Sequence, residues 1–154
     1  MATPAQQVTF RMTRARRIGD SLMAVLIRFG LVPHSYLLTT RGRKTGKLRT
    51  TPVTLVETRD RRWLVAPYGA VSWVVNTRAA GRVSLSRRGR QVDCAVRELR
   101  PDEAGPVLKH YVQLARPPRA YFAAAPDAPV ADFAAEADRH PVFELSVLGG
   151  DRWP

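Results

Sequence analysis

Apolar residues recur along this chain in two rhythms. Ile18, Leu22, Val25 and Phe29 stand at i, i+4, i+7 and i+11, one helical stripe that predicts a helix from Phe10 to Phe29. Gly30 fits as its C-cap and Pro33 stops any continuation. Residues 1–9 carry no such period and read as a frayed, flexible terminus. Beyond Pro33 the rhythm shortens. Tyr36–Thr40, Leu48–Val56, Trp63–Ala66, Arg82–Ser86, Gln91–Leu99 and Val142–Leu148 are β-branched or apolar runs parted by Gly, Pro or charged turns, which predicts strands. Two helices interrupt them. Ser72 is the expected cap of "WVVNTRAAG", closed by Gly81, and Asp102 that of "EAGPVLKHYVQLA", which runs towards Pro117. A further helix is expected over Val130–Arg139, with its acidic residues on a solvated face. The sum is an α+β, mainly β chain: six or seven mostly antiparallel strands in a small barrel or sandwich, with an N-terminal helix (10–30) and outer helices. No repeat or linker divides the 154 residues, so one domain, 1–154, is expected.

Composition adds little to the fold and something to the choice of partner. Apolar residues make up 45%, enough for a packed core. The formal net charge is +12, which favours anionic partners. All 25 cations except Lys44, Lys47 and Lys109 are arginine, and with Ala and Pro also abundant, bulk basicity reads as compositional bias. Each basic cluster therefore has to be judged on its own. Arg11, Arg14, Arg16 and Arg17 crowd the first turns of the N-terminal helix, where the helix dipole disfavours cations by roughly 0.3–1 kcal/mol each. A membrane surface, an anionic ligand, a neighbouring carboxylate or plain solvation could offset that. One cysteine, Cys94, excludes an internal disulfide, and its alternation with Val92 and Val96 reads as strand core. The start of the chain lacks a signal-peptide core, and its longest apolar run, Leu22–Ile27, is too short for a membrane span, so a cytoplasmic location is expected.

The densest chemistry lies in "TTRGRKTGKLRTTP", Thr39 to Pro52. Thr45-Gly46 is a turn between two strand-like runs, with glycine supplying positive φ. In the strand that follows, Lys47, Arg49, Thr51, Val53 and Leu55 share one face. Lys47 and Arg49 are thus neighbours, with Lys44 beside them in the turn, a set suited to a phosphate. Pro52 cannot donate to a ladder and marks an edge or a bulge. A P-loop is excluded: three residues, not four, separate Gly42 from Gly46, and Leu48 follows Lys47. Nucleic acid is disfavoured, because only Tyr36 among the aromatics stands near the cluster. His34, His110 and His140 lack metal-ligand spacing, so no metal is expected.

A second segment is "WLVAPYGAVSWVVNTRAAGRVSL". A strand ends at Pro67, and Tyr68-Gly69-Ala70 lead into a helix whose Trp73 and Asn76 share a face. Together with "TTRGRKTGKLRTTPV" and the late "HPVFEL", it resembles the deazaflavin-dependent nitroreductase family of split β-barrel oxidoreductases. The family pattern T-x-G-R-K-[ST]-G-x-x-R-x-x-P-[LV] is met, and order and spacing fit from roughly Leu31 to Leu148. The chain differs from the best-known branch in carrying Tyr68-Gly69 where that branch has Ser-Lys, one cation fewer.

The resemblance implies a split β-barrel over 36–148 that binds coenzyme F-420, an 8-hydroxy-5-deazaflavin with a phosphate and an oligoglutamate tail. It implies that Lys44 and Arg49, with Arg43 beside them and Lys47 as a weaker contact, meet that tail. Thr51, Pro52 and Val53 would lie along the ring, Tyr68, Gly69 and Ala70 at its edge, and Trp73 and Asn76 in the same pocket. The implied reaction is hydride transfer to activated alkenes, quinones or nitroaromatics, with Tyr121, then Tyr111 and Tyr68, as proton donors or substrate contacts. An FMN- or FAD-binding split barrel is the alternative cofactor reading. A basic module on acidic membrane or nucleic acid is the alternative without chemistry. The Arg-rich helix also allows peripheral contact with the inner face of a membrane, and the assembly expected is a monomer or homodimer.

Overall fold

The computed structural model describes residues 14–115 and 117–154, the side chains of residues 14–20 and of Pro117 excepted. The expectations for residues 1–13, the frayed terminus and Arg11 among them, lie outside the described residues. Six strands, β1 (Ser35–Arg41), β2 (Leu48–Glu57), β3 (Arg62–Val65), β4 (Arg82–Arg87), β5 (Arg90–Glu98) and β6 (Val142–Val147), form a closed barrel in the order β1-β2-β3-β6-β5-β4. Every pairing is antiparallel, and β4 returns to β1 to close the ring. This is the split-barrel architecture expected of an α+β, mainly β chain. The helices are α1 (Arg14–Arg28), α2 (Ser72–Ala80), α3 (Pro101–Leu114) and α4 (Val130–Ala134), with short 3-10 turns at Pro117–Tyr121 and Ala137–Arg139.

The period-two alternation sorts the strands into two cores. Tyr36, Leu38, Val53, Leu55, Leu64, Val83, Leu85, Val92, Cys94, Phe143 and Leu145 fill the barrel. Trp63, Val65 and Val142, on the opposite faces of β3 and β6, pack outward against Leu108, Tyr111 and Val112 of α3 and Phe133 of α4. Val74 reaches from α2 into the barrel core. At the C-terminus Trp153 packs on Tyr36, ring centroids 5.4 Å apart.

Three expectations are corrected. Val71, not Ser72, caps α2: its backbone is extended and its carbonyl accepts from Val74 and Val75. The tight turn at Gly69 (φ +82), closed by Val71 N–H to the Gly69 carbonyl at 2.8 Å, starts the helix a residue early. Asp102 does not cap α3. Arg100 is the cap, Pro101 with its preset φ takes the first helical position, and Glu103 reaches back to accept from the Arg100 N–H at 3.0 Å. The helix expected over Val130–Arg139 breaks after Ala134, because Glu136 is not on a solvated face. Its carboxylate is buried and accepts from Ala123 N–H (2.7 Å) and Ala124 N–H (2.8 Å). On α1, Leu22, Val25 and Phe29 are 62%, 50% and 69% exposed, while Ile27 is buried. Ile27 turns inward, Met23 borders a cavity while remaining 41% exposed, and Leu22, Val25 and Phe29 look out.

Candidate functional site

The β1–β2 ladder runs from Ser35↔Thr54 to Arg41↔Leu48, but β3 meets β2 only from Leu55 to Glu57. The other edge of β2 from Leu48 to Thr54 is therefore unpaired by β3, and Pro52, with no N–H to leave unsatisfied, sits within it. A cavity of about 660 Å³ opens there. β2 contributes Arg49, Thr51, Pro52, Val53 and Thr54; the β3–α2 connection and α2 contribute Pro67, Tyr68, Val71, Ser72, Trp73 and Asn76. Met23 and Ile27 of α1, Pro33 and His34 before β1, and Tyr111, Leu114, Ala115 and Pro118 also line it.

The basic turn is built to stay open. Gly46 takes φ +69, and Gly42 and Lys47 close the loop with an N–H to carbonyl bond of 2.8 Å. Arg41 donates Nη1–H to the Gly46 carbonyl at 3.0 Å, so this cation is used within the turn. Buried Asn76 ties the turn to α2: Oδ1 accepts from the Arg43 N–H at 3.3 Å, and Nδ2 donates to Thr40 Oγ1 at 3.4 Å. Arg43, Lys44, Lys47 and Arg49 are exposed, and among the described residues no carboxylate pairs with them. Arg61, Arg62, Arg78, Arg82, Arg97, Arg100 and Arg139, by contrast, each pair with Asp or Glu. Arg43, Lys44, Lys47 and Arg49 thus form a group of cations without countercharge beside the cavity, where Arg49 enters the wall.

Of the residues singled out in the sequence, Arg49, Thr51, Pro52, Val53, Tyr68, Trp73, Asn76 and Tyr111 line the cavity. Arg43, Lys44 and Lys47 stand in the turn beside it, and Gly69 and Ala70 only shape the α2 entrance. Tyr121 is not in the wall; it meets Tyr68 edge-on at 4.7 Å. The Tyr111 phenol is buried, and that burial, with Tyr68 near, holds its pKa far above the ordinary range. Cys94 is barrel core, its thiol pushed by burial up to about 11. Among the described residues no group of His, Cys, Asp or Glu could hold a metal ion.

Sequence spacing missed His34. It adopts a left-handed backbone (φ +56), and its Nδ1 lies 3.1 Å from Glu57 Oε2. Glu57 Oε1 in turn accepts from Tyr36 Oη at 2.8 Å, and Trp153 Nε1–H donates to the same hydroxyl at 2.9 Å. Only the β1–β2 register brings residues 34 and 57 together. The sole trace in the sequence is a polar residue at the end of each strand.

Comparison with known proteins bears on what this cavity takes. The family model described as F420H(2)-dependent quinone reductase matches residues 7–131. A solved structure described as an F420-H2 dependent reductase is 28% identical, with a TM-score of 0.52, 75% of this chain and 96% of that one being covered. A second, described as a domain-swapped dimer, is 25% identical with a TM-score of 0.54, covering 87% of this chain and 100% of that one. A protein of unknown function from Agrobacterium tumefaciens shares the fold at 16% identity and a TM-score of 0.56, with 96% of this chain and 60% of that one covered. No curated protein matches the chain. FMN and FAD find no support among these matches. The open edge of β2, the uncompensated cations beside it and the extent of the family match agree, and the chain belongs to the F420H(2)-dependent quinone reductase family.

Proposed function

We propose that this protein is a reductase that uses reduced coenzyme F-420 to deliver hydride to a quinone, an enone or a nitroaromatic compound held in the 660 Å³ cavity. The observation that carries this reading is the row of unpaired cations beside an apolar wall, which fits a coenzyme with an acidic tail and a flat ring. Arg43, Lys44 and Arg49, with Lys47 near, would hold phosphate and glutamates by charge-assisted bonds. Thr51, Pro52 and Val53 would lie along the ring, and Tyr68, Gly69 and Ala70 at its edge. Trp73 backs that wall from Phe143, 6.3 Å away, while Asn76 fixes the turn. When bound, the coenzyme supplies the hydride. The chain's own task is to bring donor and acceptor to about 3–3.5 Å and to exclude water. Tyr68 and Tyr111 are acceptor contacts in this reading, and Tyr121 steadies Tyr68. Titration with oxidised coenzyme F-420 and, in parallel, FMN tests it. The deazaflavin alone should bind at low micromolar concentration, about −8 kcal/mol. Lys44→Ala with Arg49→Ala should weaken binding about tenfold or more. Equal binding by the double variant would remove the tail site, and binding of FMN alone would replace the cofactor.

We also propose that the protein works at the cytoplasmic face of an anionic membrane, on one observation: the outward row Leu22, Val25 and Phe29 on a helix that begins with Arg14, Arg16 and Arg17. Among the described residues no helix is long and apolar enough to cross a bilayer, so the contact would be peripheral. Vesicles of phosphatidylglycerol and phosphatidylcholine should carry the protein in flotation at low salt. Leu22→Ser with Phe29→Ser should abolish flotation at unchanged thermal midpoint, and flotation persisting in that variant would sink the idea.

A further inference from the structure

We propose that His34 is the residue that protonates the oxygen of the reduced acceptor, with Glu57 holding the imidazole in place. This rests on the reductase reading above. His34 lines the cavity beside Ile27 and Thr54, its side chain 44% exposed. Glu57 is 19% exposed and accepts from Tyr36 Oη, with Arg62 Nε 3.6 Å away. An ionised carboxylate only accepts, so the short Nδ1 to Glu57 contact fixes the proton on Nδ1. Nε2 is then the nitrogen left for a ligand: among the described residues it has no hydrogen-bond partner in the protein.

The backbone makes the placement deliberate. His34 and Arg88 are the two non-glycine residues with positive φ among those described. Arg88 sits in the β4–β5 hairpin turn between Arg87 and Arg90, where such a φ closes the loop. His34 is in no hairpin. Its carbonyl is pinned by the Leu55 N–H at 2.8 Å, at the head of the β1–β2 ladder. Non-glycine residues held left-handed by their surroundings gather at functional sites.

Position along β2 completes the case. Arg49 and Thr54 are five residues apart on β2, about 17 Å at strand rise, and both line the cavity. The cations stand at one end and His34 at the other, with Thr51, Pro52 and Val53 between. Two of the three candidate tyrosines fit the task less well. Tyr121 is outside the wall, and the Tyr111 phenol is made a weaker acid by its burial.

The step balances as follows. Hydride carries two electrons to the acceptor, a new C–H bond forms, and the displaced π pair moves onto the carbonyl oxygen. The Nε2–H bond of the His34 imidazolium breaks, its electron pair stays on nitrogen, and an O–H bond forms. Water then restores the Nε2 proton from the open side. Glu57 faces the ring at Nδ1; Arg62 from β3 and Arg87, over the Tyr36 ring at 5.4 Å, are the other charges around the pair.

His34→Asn tolerates the left-handed backbone and removes the acid. His34→Gly removes the ring and leaves space for free imidazole. The probe for coenzyme-free protein is 2-hydroxy-1,4-naphthoquinone, an enolate at neutral pH that imitates the charged acceptor. Wild type should bind it about tenfold or more tighter than His34→Asn, with neutral 1,4-naphthoquinone much less affected. In the loaded enzyme, His34→Gly should lose about 100-fold in kcat on an enone, with added imidazole restoring most of it and the KM for coenzyme unchanged. Equal enolate affinity in wild type and His34→Asn, or a slow His34→Gly that imidazole does not rescue, overturns the assignment. The enolate titration needs no coenzyme, so it reads His34 even where coenzyme F-420 fails to bind.

Discussion

The His140 imidazole lies flat against Phe122, ring centroids 3.9 Å apart, with Nδ1 2.9 Å from the Pro67 carbonyl. A carbonyl only accepts, so Nδ1 carries the proton and the buried Nε2 is bare, 3.7 Å from Glu136 Oε1. Burial lowers the His140 pKa below the usual histidine range, ahead of the opposing pull of Pro67 and Glu136. The unfolded chain therefore binds this proton more readily than the folded one. The stability involved is complete above the unfolded pKa of about 6.5 and is lost as pH falls below it towards the folded value. Urea unfolding between pH 7 and 5 should show wild type losing up to about 1.4 kcal/mol per pH unit more than His140→Asn. Parallel slopes would mean that His140 is not neutral in the fold. This residue matters to the site because its partner Pro67 is part of the cavity wall. None of it could be read from an isolated His-Pro near the end of the chain.

At the scale of elements, periodicity located all six strands and three helices, because a barrel strand must place every second residue in the core. Helix ends were less legible. Gly81 behaved as composition required: it takes φ +69, its N–H reaches the Thr77 carbonyl, and its carbonyl accepts from Val96 N–H at 3.1 Å. It therefore ends α2 and aims β4 at once. No atom stands within 4 Å of an added Cβ, so Gly81→Ala isolates the backbone cost, about 1 kcal/mol. The thermal midpoint should fall by about 2–4 °C, and an unchanged midpoint would show that the left-handed turn is not required. The caps Ser72 and Asp102 failed for a shared reason: each side chain had a suitable identity, but a neighbouring turn or proline decided where the helix began. In α1 the period predicted the helix but not which side meets the barrel. The barrel took Ile27, while Leu22, Val25 and Phe29 stayed exposed.

The whole molecule brings together segments that no local rule connects. The open edge of β2 exists because β3 pairs only Leu55 to Glu57. Asn76 reaches Thr40 across 36 positions of sequence, and Trp153 reaches Tyr36 across 117. These contacts turn a basic loop, a glycine turn and a polar strand end into one cavity.

By itself the sequence determined the barrel's strands, the basic turn and the family motifs around Arg43–Val53 and Trp73–Asn76. Each of these is encoded by residues close together, through alternation, glycine torsion or charge density. Only the tertiary structure decided which cations stay without a countercharge, which row of α1 faces out, that Glu136 is buried, and that His34 meets Glu57. Those outcomes depend on strand register and on competition for core space, and a local pattern carries neither.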